Sequence, residues 1–208
     1  MPLCVPCGEN STRHMIEHDS LIIRPENSTD INTIFLVNSL AFETETEAVL
    51  VNRLREKNIL FLSLISEYRQ EIIGHILFTR VHVNHNPRHI KTIGLAPMAL
   101  IPEYQRQNVG TRLIQHGLEF CIQKKQEVIF VLGHADYYPR IGFQPVRPYG
   151  LFYQNGSYDP YFFVHELKKN TLRKLKGNVF FDPEFDQIMK MKFSQKIKGK
   201  PSTAKTPT

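Results

Sequence analysis

The stretch Ile101-Pro-Glu-Tyr-Gln-Arg-Gln-Asn-Val-Gly-Thr-Arg-Leu113 joins an apolar run, Thr92-Ile-Gly-Leu-Ala-Pro-Met-Ala-Leu100, to a helical pattern beginning near Thr111. The first amides of a helix lack intrahelical acceptors and carry a partial positive charge. A turn that delivers a strand into a helix start therefore presents backbone donors to an anion, and Arg106 adds a cation beside them. A phosphate or pyrophosphate is the ligand such a turn suits.

Working outward, Thr111–Lys125 places Leu113, Ile114, Leu118, Cys121 and Ile122 at helical intervals. Val128–Leu132 is a short all-apolar run, the pattern of a strand covered on both faces. Strand, helix and strand over residues 93–132 make one crossover unit with parallel neighbouring strands. Gly94 and Pro97 interrupt the first of these strands, which marks a bulge or an edge. Upstream, Leu21–Arg24 reads as a strand ended by Pro25. Asp30 is placed to cap a helix carrying Ile31, Ile34, Phe35, Val37 and Leu40. Thr44 and Glu47 have the spacing of a capping box for a second helix through Val49, Leu50 and Leu54. The runs ILFLSLISE and QEIIGHILFTRVHV, separated at Tyr68-Arg69, read as an antiparallel pair, and further strands are expected near GFQPV and YFFVHEL. The economical organisation is one α/β domain over residues 20–186, between an N-terminal extension, 1–19, and a basic tail, 187–208.

Hydrophobic content of 41% supports a packed core, and no apolar run approaches the roughly 20 residues that cross a bilayer. The start MPLCVPCGEN has no basic segment followed by an apolar one, so a cytoplasmic protein without a membrane partner is expected. The formal charge of +6 belongs to the tail: Lys190, Lys192, Lys196, Lys198, Lys200 and Lys205 follow Gln187 without an acid, leaving the first 186 residues neutral. The body lacks a basic stripe interleaved with aromatics, so nucleic acid is expected only as weak attraction through the tail.

Cys4-Val-Pro-Cys7 with His14 and His18 offers four metal-ligand types, but the interval from Cys7 to His14 is far shorter than zinc fingers use. His82, His85 and His89 lie in a polar Asn/Pro segment that reads as a solvated hairpin tip. No metal is expected at either place, and Cys121 reads as a small core residue.

Three motifs in order carry a resemblance. Gln105-Arg-Gln-Asn-Val-Gly110 matches a Gln-x-x-Gly/Asn-x-Gly loop, about thirty residues later comes Tyr138-Pro-Arg-Ile-Gly142-Phe143, and then FFVHELKKNTLRKLKGNVFFDPEFD. Together they resemble the GNAT superfamily of acetyl-CoA-dependent N-acetyltransferases, and within it the YhbS-type acetyltransferases. The resemblance implies an α/β fold with a GNAT-like mixed, strongly twisted central sheet, helices on both faces and splayed central strands. It implies acetyl-CoA as co-substrate, with pantetheine inserted between the splayed strands. Backbone groups of Met98, Ala99 and Leu100 would then bind pantetheine, an amide near Ala99–Leu100 would polarise the thioester carbonyl, and amides of Gln105, Arg106, Gln107, Asn108, Val109, Gly110 and Thr111 would take the pyrophosphate. Asn108 departs from the family's usual glycine, a change that positive-φ-tolerant Asn absorbs at roughly 1 kcal/mol or less.

Acetyl transfer to an amine sets chemical requirements. A lysine-like ammonium of pKa about 10.4 must lose a proton at a cost of roughly 4.6 kcal/mol at pH 7. The departing thiolate needs a donor, and Tyr138 holds the position of the family's general acid, with adjacent Tyr137 as the competing donor. His134, Glu43 and Glu45 are candidate bases, and Phe152, Tyr153 and Tyr158 are candidate acceptor-pocket aromatics. Direct attack in a ternary complex is the expected mechanism. The rival readings are a non-catalytic acyl-CoA sensor on the same fold and a nucleic-acid-associated protein working through its tail.

Overall fold

The alternation of side chains along two adjacent sequences decides which helices lie on which side of the sheet. In the computed structural model, which describes residues 16–17, 20–42 and 44–188, Leu77 and Phe130 belong to one core cluster, whereas their chain neighbours Ile76, Phe78, Ile129 and Val131 belong to another. Successive strand residues point to opposite faces, so the two clusters are the two sides of one sheet. Chain order is β1 (Leu21–Pro25), α1 (Ile31–Ala41), α2 (Thr46–Glu56), β2 (Leu60–Tyr68), β3 (Glu71–Arg80), β4 (His82–His85), β5 (Thr92–Leu100), α3 (Val109–Gln123) and β6 (Val128–Leu132). There follow β7 (Gln144–Pro145), β8 (Leu151–Phe152), β9 (Phe162–Glu166) and β10 (Lys176–Phe180). Residues Ile34, Leu50, Val51 and Leu54 of α1 and α2 join the cluster of Leu77 and Phe130, and Leu113, Ile114 and Cys121 of α3 join the other. Helices therefore cover both faces.

The main sheet has the order β1-β2-β3-β5-β6-β9-β7. Its ladders are antiparallel except for β5–β6, the parallel pair expected of the crossover. The β2–β3 hairpin turns through Arg69 and Gln70, both at positive φ (51° and 67°), the backbone of a primed two-residue turn whose twist suits a hairpin. A smaller sheet, β4-β10-β8, was not foreseen, and part of the expected histidine loop is its strand β4. His82, His85 and His89 are exposed, and the described residues contain no cluster able to hold a metal. No helix among the described residues is long and apolar enough to cross a membrane. Cys4, Cys7, His14, His18, Glu43 and the tail lysines lie outside the described residues.

Three helix readings are corrected. Asp30 precedes α1 without a side-chain cap bond; its carboxylate instead takes two bonds from the Arg24 guanidinium (2.7 and 3.1 Å), which hold it below the usual carboxylate range. No capping box forms at α2, where Thr44 Oγ1 pairs with Thr46 Oγ1 at 2.7 Å, and Val49 and Leu40 face outward. On α3, Ile122 is 54% exposed and the buried stripe runs through Gly117 instead. A Cβ on Gly117 would stand 2.4 Å from the ring of fully buried Phe78, so the missing side chain lets the helix lie close on the sheet.

Behind β5 lies a buried polar chain. Asn38 Nδ2 donates to Ile34 O (2.8 Å) and to His75 Nδ1 (3.0 Å), which assigns the ring proton to Nε2; Nε2 donates to Ser63 Oγ (2.9 Å). Ser63 in turn donates to Glu26, which Arg55 grips at 3.0 and 2.8 Å. Burial raises the Glu26 carboxyl, but the bonds from Arg55 and Ser63 outweigh it and leave the group below its ordinary value. His75 is fully buried, and loss of solvent lowers it from 6.5 to about 4.

Two predictions follow from this packing. The unfolded chain binds a proton on His75 near pH 6.5 and the folded chain only near 4, so stability is full above the first value and falls as pH drops between them. The loss approaches about 3 kcal/mol for this group. Urea midpoints across that window should show it, with a shallower slope in His75→Gln; equal slopes would exclude the imidazole as the cause. Gly117→Ala, although it gains roughly 1 kcal/mol of helix propensity, is expected to destabilise by about 1–3 kcal/mol through the Phe78 overlap. Its denaturation midpoint tests this directly.

Candidate active site

The β5–β6 ladder runs from Thr92↔Val128 to Leu95↔Val131 and then stops. Pro97, which has no N–H, lies just past the break, and β5 continues on β3 alone through Ile76↔Met98, His75↔Ala99 and Gly74↔Leu100. Ile101 N donates to Ile73 O at 3.0 Å, so the alternation of an antiparallel ladder turns Ala99 toward β3 as well, and turns Met98 and Leu100 away from it. Backbone groups of Met98 and Leu100 thus face the gap. Those of Ala99, expected among the ligand-binding groups, are taken by β3. On the far side Gly133 N donates to Tyr161 O (2.9 Å) and Leu132 pairs with Phe162, which draws the end of β6 toward β9.

The separation opens a cleft of about 490 Å³. Leu95–Met98 form one wall, Leu132–His134 with Tyr137 and Tyr138 another, and Phe42, Glu47 and Leu50 from α1 and α2 a third. Tyr158, Tyr161, Phe185 and Ile188 close the remaining side. Of the residues expected from sequence, Met98, His134, Tyr137, Tyr138 and Tyr158 meet here. Glu45 is exposed and does not line the cleft, and Tyr153 is core, its hydroxyl donating to Asp186. Phe152 lines a separate cavity with Arg147 and Asp159. Glu47, which motif reading had spent on a capping box, was missed as a site residue; its signal was its place three residues before buried Leu50 on one helix face.

Tyr138 is 6% exposed, held between Phe143 (edge-on, centroids 5.4 Å) and Phe163 (stacked, 6.3 Å). A Cβ on Gly133 would overlap its ring at 2.1 Å. Burial, helped by neighbouring Tyr137, raises the Tyr138 phenol well above its ordinary value. Tyr137 is raised by burial too, partly offset by its bond to Thr111 Oγ1 at 3.4 Å. His134 is exposed at the cleft, and its carbonyl accepts from the amides of Tyr137 (3.1 Å) and Tyr138 (3.3 Å).

The Tyr137 hydroxyl connects this cleft to the start of α3. A Cβ on Gly110 would lie 3.2 Å from that oxygen and 3.2 Å from Leu100 Cδ1, so glycine lets strand end, helix start and phenol converge. Asn108 caps α3 in the left-handed region (φ 63°, ψ 4°), and Arg106 is also at positive φ (60°). Arg112 N bonds to Asn108 O at 3.2 Å, which leaves the amides of Val109, Gly110 and Thr111 without acceptors in the helix. The loop side chains brace rather than bind: Gln105 Nε2 donates to Leu100 O (3.0 Å), and Gln107 donates to Glu103 O (2.9 Å) while accepting from Ile16 N (2.9 Å). Arg106 is exposed.

The Acetyltransferase (GNAT) family matches residues 31–143 of this chain, a span that includes the strand split and the start of α3. The chain belongs to the GNAT family. Among its relatives, uncharacterized N-acetyltransferase YjhQ of Escherichia coli K12 is 43% identical over 123 residues, 56% of this chain and 66% of that protein, just under two thirds of its length. Uncharacterized N-acetyltransferase YhbS of the same strain is 27% identical over 169 residues, 81% of this chain and 100% of YhbS. The crystal structure of Escherichia coli YhbS in complex with CoA matches with a TM-score of 0.76 at 27% identity, covering 80% of this chain and 92% of that one. A GNAT acetyltransferase from Brucella melitensis in complex with acetyl-CoA matches at 0.67 and 26% identity, covering 81% and 100%.

The cap residue gives a direct test. Asn108→Ala places a side chain with poor tolerance of positive φ at the cap, and it should cost about 1–2 kcal/mol in urea unfolding, whereas Asn108→Gly should not destabilise. Equal stability of all three would mean that the turn relaxes away from φ 63°.

Proposed function

We propose that the protein is an acetyl-CoA-dependent N-acetyltransferase that passes acetyl directly to an amine within a ternary complex. One observation carries the reading: the Met98 backbone and the Leu100 amide face the split between β5 and β6, which leads to the uncapped amides of Val109–Thr111. A long ligand with a hydrogen-bonding pantetheine arm and a pyrophosphate fits both ends at once. The CoA and acetyl-CoA bound by the YhbS and Brucella melitensis proteins have that shape, which supports carrying them over to this chain.

In the reaction the amine nitrogen bonds to the thioester carbonyl carbon and the carbon–sulfur bond breaks. The Leu100 amide is the donor for the carbonyl oxygen, and one preorganised donor of this kind is typically worth about 2.7–4 kcal/mol. Tyr138 is the group for the departing sulfur. Its burial makes it a weaker acid, so its contribution is hydrogen-bond donation to the developing thiolate rather than early proton release. His134, the imidazole at the cleft, is the proposed acceptor of the amine proton.

Calorimetry with acetyl-CoA tests the first half of the reading, and release of free thiol across an amine panel tests the second. Absence of acetyl-CoA binding would end it. Tyr138→Phe is expected to lower turnover by at least about tenfold while leaving acetyl-CoA affinity nearly unchanged. Loss of turnover in Tyr137→Phe with Tyr138→Phe at wild-type rate would transfer the role to the neighbour.

A further inference from the structure

We infer that Phe185 and Ile188 select the acceptor: they are the wall against which an apolar portion of the amine lies, and their bulk limits its size. The inference deepens the acetyl-transfer reading and rests on it.

The two faces of the sheet locate that wall. The uncapped amides of Val109–Thr111 begin α3, whose Leu113 and Ile114 pack on one face of the main sheet. Leu50, Phe185 and Ile188 belong to the core cluster on the other face, and all three line the cleft. The split therefore passes through the sheet. A ligand with its pyrophosphate at the α3 start and its reactive end at Leu100 fills the cleft from the α3 side. The acceptor then meets the thioester from the side that Phe185 and Ile188 close.

The way this segment is fixed is the second support. Residues 183–188 form a helical turn in which Phe185 and Ile188, three apart, share one face. Asp182 starts the turn, its Oδ1 accepting from Glu184 N (2.9 Å) and its carbonyl from Phe185 N (2.9 Å). Three anchors then hold it from different directions. Glu184 pairs with Arg53 (3.1 Å) and Lys57 (2.9 Å) at the end of α2. Asp186 accepts from the Tyr153 hydroxyl and from Gln154 Nε2 (3.3 Å). Phe181, just before the turn, stacks on Phe185 with centroids 4.6 Å apart, and it lies over Gly94 of β5, where a Cβ would overlap its ring. Exposed ion pairs add little stability by themselves, but attachment to α2, to β5 and to the loop at Tyr153 gives the two side chains a fixed position. A wall that discriminates by shape needs that rigidity.

The chemistry of the wall defines what lies on it. A phenyl face and a branched alkyl group gain from apolar contact and offer no strong hydrogen bond, so a polar substituent placed against them loses water without finding a partner. An amine with a hydrocarbon chain or ring at that place is favoured over one with a hydroxyl or a charge there. Both residues lie beyond the span 31–143 that matches the GNAT family, so this wall comes from a different part of the chain than the strand split.

The test measures thiol release from acetyl-CoA by the full-length protein with three primary amines: ethylamine, 2-phenylethylamine and 2-(2-naphthyl)ethylamine. Phe185→Leu and Ile188→Ala keep the wall apolar and cut it back. Each is expected to raise kcat/KM for the naphthyl amine relative to ethylamine by about tenfold or more, the range of a methylene change in an apolar pocket, with the KM for acetyl-CoA unchanged. Ile188→Thr, which puts a hydroxyl on the wall, should lower kcat/KM for 2-phenylethylamine more than for ethylamine. Thermal midpoints show which variants are folded, and the Ile188 variants keep the test open should Phe185→Leu unfold. A merely structural role would change the three amines alike. Unchanged ratios in the folded variants overturn the inference and leave the transfer reading standing. Absence of thiol release with every amine, in the variants as in wild type, overturns it as well, and calorimetry with acetyl-CoA then shows whether the cofactor half of that reading survives.

Discussion

The structure turns on a ladder that stops. Between two parallel strands of a buried sheet, backbone donors and acceptors would ordinarily satisfy each other, and a buried group left without a partner costs about 1–3 kcal/mol. Here β5 and β6 share hydrogen bonds only as far as Leu95 and Val131. Pro97 removes one donor at the divergence, β3 continues to hold β5 through Ala99 and Ile101, and Tyr161 O takes the Gly133 amide on the opposite side. Each strand is satisfied on its outer edge. The gap is therefore held from both flanks, and the backbone groups of Met98 and the amide of Leu100 are left for solvent or ligand.

The same gap fixes where α3 begins. Gln105 reaches back to Leu100 O, Tyr137 reaches across to Thr111, and Gly110 lets Leu100 and Tyr137 approach the helix start. Further along, Gly117 sets the helix axis close to Phe78, so the first turn cannot be displaced without opening the core. The amides of Val109–Thr111 and the backbone of Leu100 are consequently held at a fixed separation by covalent geometry and packing together. Preorganisation of that kind is what allows a donor to act on developing charge without reorganisation.

How far the sequence disclosed this depends on the scale of the signal. The crossover was legible because β6 is a continuous apolar run and α3 has helical periodicity, both local patterns. Pro97 announced an interrupted strand and Asn108 announced positive φ, because those residue types bias backbone by themselves, whereas Gly94 lies inside the paired ladder opposite Thr79 and Phe130. Ala99 and Leu100 could not be separated, since which edge a residue faces depends on register with β3. Strand β10, with the pattern Lys-Gly-Asn-Val-Phe, had no alternation to reveal it, and it exists through pairing with β4 and β8. Asp30 and Glu47 were misread for one reason: each matched a local capping spacing, while Arg24 in one case and the cleft in the other lay outside any local window. Phe185 and Ile188 show the same limit at the end of the described chain, where residues next to a lysine-rich segment form cleft wall.

The distribution of polar groups suits the course of charge in the proposed reaction. Positive charge concentrates on nitrogen as the new bond forms, and negative charge spreads over the carbonyl oxygen and the sulfur. Tyr138 lies in the turn that follows β6 and the Leu100 amide ends β5, so the two stand on opposite flanks of the split. Donors on both flanks thus stand where the developing negative charge falls. A buried phenol that is reluctant to ionise does not become a competing anion beside the thiolate, so the aromatic packing of Tyr138 against Phe143 and Phe163 preserves the donor the chemistry requires. Packing and the proposed donor role impose one requirement at that residue.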